Sequence, residues 1–89
     1  MPAVHLIIKG KVQGVFFRAS AKDKADDLGI KGWVKNTPEG NVEVLVSGGE
    51  EKVQEFADWC KKGPSRALVT EVEITTVGEK AFDGFHVLR

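Results

Sequence analysis

The amino-acid sequence predicts an α+β sandwich, with two helices laid on one face of an antiparallel sheet. Three observations carry that expectation. Short stretches alternate apolar and polar residues, two longer stretches space their apolar residues as helices do, and glycine- or proline-bearing turns separate them. The resulting order is β-α-β-β-α-β, with a short C-terminal strand added.

Val4 to Lys9 is apolar and β-rich and forms the first strand. A glycine-bracketed loop follows. From about Arg18 to Leu28, Ala21, Ala25 and Leu28 recur at helical spacing, while Lys22, Asp23, Lys24, Asp26 and Asp27 fill the opposite face. Gly29 is a natural stop for that helix. Trp33 to Thr37 reads as the second strand. Thr37-Pro38-Glu39-Gly40 is turn chemistry, and Val42, Val44 and Val46 then alternate with polar or outward positions to give a third strand and a hairpin.

Ser47-Gly48-Gly49 breaks that pattern. Glu50 and Glu51 open a second helix, where acids suit the positive end of the helix dipole. Val53, Phe56, Ala57 and Cys60 form its apolar stripe, and Gly63-Pro64 stop it. Residues 68–77 alternate around Val72 and Ile74 as a fourth strand, residues 78–83 form a loop, and Phe85 to Leu88 is the short last strand. Trp33, Phe56 and Phe85 stand where the core needs mass, and Trp59 neighbours the stripe of the second helix, partly exposed.

This order is that of the ferredoxin-like α/β sandwich, with strand order 4-1-3-2. Strands 1 and 2 then run the same way with strand 3 between them, so their C-terminal ends share one sheet edge. The loop after strand 1 and Asn36 at the end of strand 2 are brought to within two strand spacings, roughly 10 Å. An anion beside the loop and a water beside Asn36 fit that gap.

Composition narrows the function classes. The 89 residues, 42% hydrophobic and 29% charged, make one domain over residues 1–89. The lone cysteine, Cys60, has no internal disulfide partner, which suits a reducing, cytoplasmic compartment. No apolar run approaches the ~20 residues of a membrane span, and the N-terminus has no signal-peptide pattern. Thirteen basic and thirteen acidic side chains cancel, which argues against a nucleic-acid footprint. The expectation is a monomer acting on small molecules, with no nucleic-acid partner and no membrane.

Residues 10–18 read Gly-Lys-Val-Gln-Gly-Val-Phe-Phe-Arg, a loop leaving a strand and entering a helix. Such a loop presents several backbone N–H groups at once, and Arg18 adds a permanent, forked cation. Helix starts disfavour cations, so an arginine there points to an anion that offsets the repulsion. A solvated arginine is the alternative. The loop is not a nucleotide loop, because its Gly-Lys pair comes first and no Ser or Thr follows to hold magnesium. Asn36 either caps a turn or orients a water; an amide cannot serve as a general base, so its work would be positional. His5 and His86 lack ligand spacing, and the first loop has no Cys-x-x-Cys pair, so neither a metal nor another cofactor is expected. Cys60 falls on a core stripe.

Gly10-Lys11-Val12-Gln13-Gly14-Val15-Phe16-Phe17-Arg18 resembles the first motif of the acylphosphatase family. Gly32-Trp33-Val34-Lys35-Asn36, followed by Gly40-Asn41-Val42-Glu43, resembles the second. The resemblance spans essentially the whole chain. It implies a small cytoplasmic enzyme that hydrolyses the carboxyl–phosphate bond of acyl phosphates without a metal, with acyl-phosphorylated proteins as further substrates. By resemblance, Arg18 and the backbone amides of Gln13, Gly14, Val15, Phe16, Phe17 and Arg18 hold the phosphoryl group. Asn36 orients the attacking water, the substrate's own phosphate takes the proton, and Thr37 supports the asparagine.

Phe16 departs from the family pattern, standing where many members carry glycine or another small residue. Either its side chain points into the core and leaves the amides aimed inward, or it bends the loop. The C-terminal Phe85-His86-Val87-Leu88-Arg89 lacks the terminal tyrosine of some members. The alternative function is a non-catalytic anion-binding module on the same fold. An RNA-recognition surface is disfavoured because the two central strands carry no aromatic residue.

Overall fold

Seven elements follow one another in the computed structural model, which describes residues 2–88: β1 (Pro2–Lys11), α1 (Phe17–Leu28), β2 (Lys31–Asn36), β3 (Val42–Ser47), α2 (Glu50–Lys62), β4 (Leu68–Glu79) and β5 (Phe85–Val87). The sheet order is β4-β1-β3-β2-β5. β1 pairs antiparallel with β3 and β4, and β2 pairs antiparallel with β3. β1 and β2 therefore run the same way and end on one edge, as the sequence predicts. The predicted short last strand joins β2 in parallel. The sheet is thus antiparallel across four strands and mixed across five.

The two-residue period of the strands decides what faces the helices. Leu6 and Ile8 of β1, Val34 of β2, and Val42, Val44 and Val46 of β3 are all fully buried. They meet Phe17, Ala21 and Ala25 of α1 and the stripe Val53, Phe56, Ala57 and Cys60 of α2. Phe17 packs on Trp59 with ring centroids 5.4 Å apart, and Phe56 on Phe85 at 5.9 Å. Each such side chain contributes about 1.5–3 kcal/mol by leaving water. Trp59 is half-buried at the margin of this cluster, as expected.

Trp33 is a correction. It lies on the opposite, open face of the sheet, because Gly32 and Val34 take the inward positions on either side of it. There it is half-buried, with the Lys35 ammonium 5.1 Å from its ring centroid. Several boundaries also move. β1 and β4 reach beyond their predicted ends because their pairing continues from Pro2 with Glu79 to Lys11 with Leu68. Residues 78 and 79, expected in a loop, therefore belong to β4. α1 begins at Phe17, one residue early, and β2 ends at Asn36 because Thr37 already opens the turn. Arg89, the last residue of the C-terminal segment, lies outside the described residues.

Candidate active site

The loop between β1 and α1 is shaped by two devices. The first is a register shift between Lys9 and Gly10. Gly10 has φ 123°, and a Cβ there would lie 2.1 Å from the Leu68 carbonyl oxygen, so only glycine lets β1 bend against β4. The second is alternate anchoring. Val12 and Val15 are sunk into the core, while Gly14 (φ 72°) and Phe16 (φ 64°) both adopt the left-handed conformation. Left-handed residues next to right-handed ones can turn successive N–H groups toward one concavity, an arrangement able to accept an anion.

Phe16 does not take the first of the two courses left open by the sequence, since its side chain is not in the core. It occupies the residue before the first turn of α1, and its side chain is turned out to solvent, 69% exposed. Left-handed φ is costly for a bulky residue, about 1–3 kcal/mol. That geometry is what glycine would supply freely. Phe16 also offers no side-chain cap. The first intrahelical bond of α1 runs from the Ser20 N–H to the Phe16 carbonyl at 3.0 Å, which leaves the N–H groups of Phe17, Arg18 and Ala19 ahead of the helical ladder. No acidic residue stands in the first turn. Arg18 does, half-buried, with Nη1 donating to the Leu88 carbonyl at 3.2 Å. A neutral carbonyl fixes the direction of the guanidinium without cancelling its charge. Leu88 is itself held by its N–H donating to the Val34 carbonyl at 2.8 Å.

Asn36 ends β2 on the face that carries Val34, and so points toward the α1 side of the sheet. With Arg18 it lines one cavity of about 400 Å³. Gly14, Phe16, Phe17 and Ala19 supply more of the wall from the loop and helix start, and Val12 and Val87 supply its apolar base and side. The structure thus brings Asn36 and four of the six predicted loop positions, Gly14, Phe16, Phe17 and Arg18, to one cavity. Val15 and Gln13 are absent from its lining. The Val15 side chain is buried, and the Gln13 side chain turns away to the β2–β3 turn.

That turn is tightly bonded. The Thr37 N–H donates to the Asn41 carbonyl at 2.9 Å, the Gly40 N–H to the Thr37 carbonyl at 3.1 Å, and the Asn41 N–H to Thr37 Oγ1 at 3.1 Å. Thr37 therefore holds the turn that begins one residue after Asn36. Gln13 Nε2 adds two donations at 2.9 Å each, to the carbonyls of Thr37 and Asn41. Sequence reasoning assigned Gln13 only a backbone amide. A side-chain contact spanning 24 and 28 residues leaves no periodic trace that could have revealed it.

The remaining reactive groups lie apart from this cavity. His5 Nε2 is 2.6 Å from Glu43 Oε2, and His86 Nε2 is 2.8 Å from Asp83 Oδ1. The hydrogen bond from His86 holds the Asp83 carboxyl below its ordinary range. Cys60 is buried, and loss of hydration pushes its thiol up, away from the reactive thiolate. Among the described residues no group of three or more His, Cys, Asp or Glu side chains is arranged to hold a metal ion.

Comparison with known proteins bears on this geometry. The acylphosphatase family model matches residues 4–87. A relative named acylphosphatase from Alkalilimnicola ehrlichii is 48% identical over 84 residues, covering 94% of each chain. Among solved structures, an acylphosphatase from Bacillus subtilis superimposes with a TM-score of 0.96 at 33% identity, covering 100% of both chains. One from Coxiella burnetii does so with a TM-score of 0.94 at 36% identity, covering 98% of this chain and 92% of its own.

Proposed function

This chain belongs to the acylphosphatase family, and we propose that its cavity hydrolyses acyl phosphates with Arg18 and the loop amides holding the phosphoryl group and Asn36 orienting the water. The observation that carries this reading is the meeting of an uncapped helix start, an arginine and an asparagine carboxamide in one cavity.

The chemistry asks little else. An acyl phosphate is an activated anhydride with a good carboxylate leaving group. Water oxygen bonds to phosphorus, the bond from phosphorus to the acyl oxygen breaks, and the electron pair leaves on the carboxylate. A phosphoryl oxygen takes one proton of the water. The barrier is then one of charge and orientation, which fixed donors and a placed water can lower. Arg18 and the N–H groups of Gln13 to Arg18 meet the charge on the equatorial oxygens. The Asn36 carboxamide accepts from the water and fixes its lone pair toward phosphorus, and Thr37 steadies that strand end. No step is assigned to a metal or other cofactor.

Residues 1–89 act as one catalytic unit. Both walls of the cavity come from one chain, which supports a working monomer. The open mouth beside Phe16 suits small acyl phosphates, and leaves room for acyl-phosphorylated proteins as substrates. No helix among the described residues is long and apolar enough to cross a membrane, and the lone buried Cys60 suits the cytoplasm.

The test is hydrolysis of benzoyl phosphate by the purified protein and two variants. Wild type is active. Arg18→Ala loses turnover and binds inorganic phosphate weakly, whereas Asn36→Ala loses turnover with phosphate binding nearly intact. A wild-type protein inactive above background, yet still binding phosphate, would leave a non-catalytic anion module instead.

A further inference from the structure

Gln13 is the one loop residue whose side chain leaves the loop to grip the other half of the site. Its Nε2 lies 2.9 Å from the carbonyl oxygens of both Thr37 and Asn41. Both neighbours are acceptors, so the nitrogen and not the oxygen must face them, and a primary amide has one hydrogen for each. Those two carbonyls belong to the turn that starts directly after Asn36, and each also accepts a bond within the turn. The contact is half-buried, which strengthens it relative to a solvated one. Nothing else described joins the loop to this turn by a hydrogen bond.

We infer that the Gln13 carboxamide is a positioning residue that sets the distance between the loop and Asn36, and so the alignment of water with phosphorus. This rests on the acylphosphatase reading. The backbone amides of the loop are pinned separately, by buried Val12 and Val15. Phosphate binding therefore does not depend on the Gln13 side chain, while water placement does. A misplacement of about 1 Å can cost on the order of a hundredfold in rate.

The experiment compares wild type with Gln13→Met and Gln13→Glu, measuring kcat and KM for benzoyl phosphate and inhibition by inorganic phosphate. Methionine keeps the length and the backbone N–H but has no donor. The turn retains its own three hydrogen bonds, so the fold is expected to survive. Gln13→Met should lower kcat by roughly tenfold to a hundredfold, with KM and the phosphate inhibition constant changed less than about twofold. Glutamate at this position faces two carbonyls with no hydrogen until it is protonated. Its kcat relative to wild type should therefore recover as pH falls through the carboxyl range, and this second variant serves if the first does not fold. An unchanged kcat in either variant at neutral pH, or a loss confined to KM and phosphate inhibition, overturns the inference. An inactive wild type overturns the acylphosphatase reading itself, a different and distinguishable result.

Discussion

The two helices of this chain begin in opposite ways. α2 starts after Gly49 in an extended conformation (φ −59°, ψ 141°) and carries Glu50 and Glu51 in its first turn. Its positive end is offset by its own side chains. α1 starts after a left-handed Phe16, carries no acid in its first turn, and adds the cation Arg18 to an end that is already positive. Neither helix has a side-chain cap, so the difference lies in charge and backbone strain. α2 is finished as a structural element. α1 has no such offset of its own, and the cost in stability falls where phosphate binding is proposed.

Swapping these features should swap the properties. The largest effect is expected from giving α1 an acid of its own. Ala19 is exposed in the first turn and lies on the cavity wall. Ala19→Glu should raise both KM for benzoyl phosphate and the phosphate inhibition constant by roughly tenfold, since like charges about 4 Å apart repel by about 1–4 kcal/mol between bulk and surface dielectrics. The same variant should be more stable by about 0.3–1 kcal/mol in urea unfolding. A more stable variant with unaltered kinetics would break the comparison.

Backbone strain should respond next. Asparagine tolerates the left-handed region far better than phenylalanine, and the Phe16 ring buries little. Phe16→Asn should therefore stabilise the fold by about 1 kcal/mol, with phosphate inhibition retained. A destabilised variant would mean that the ring makes contacts worth more than the strain. The smallest effect is expected at α2. Glu50→Gln with Glu51→Gln should lose about 0.3–1 kcal/mol per residue at low salt and leave benzoyl phosphate kinetics as they were.

The same contrast explains what the sequence could disclose. The stripe Val53, Phe56, Ala57, Cys60 and the alternation Val42, Val44, Val46 are periodic, and both are buried as predicted. Topology follows from element order, and that order alone puts the loop and Asn36 on one sheet edge, where the observed strand order places them. Trp33 was misassigned because hydrophobicity alone does not say which face of a strand is covered. Its neighbours decide that, Gly32 by fitting close to β3 and Val34 by filling the core. The outward turn of Phe16 and the grip of Gln13 were hidden for another reason. Each depends on backbone geometry or on a partner more than 20 residues away, and neither leaves a pattern in residue type.

The asymmetry of the two helix starts can be measured directly by titrating the protein with inorganic phosphate and following the backbone amide resonances. Saturable shifts concentrated at residues 13–19, with none at residues 50–53, are expected. Shifts at the start of α2, or no saturable shift in the loop, would contradict the assignment of α1 as an anion site.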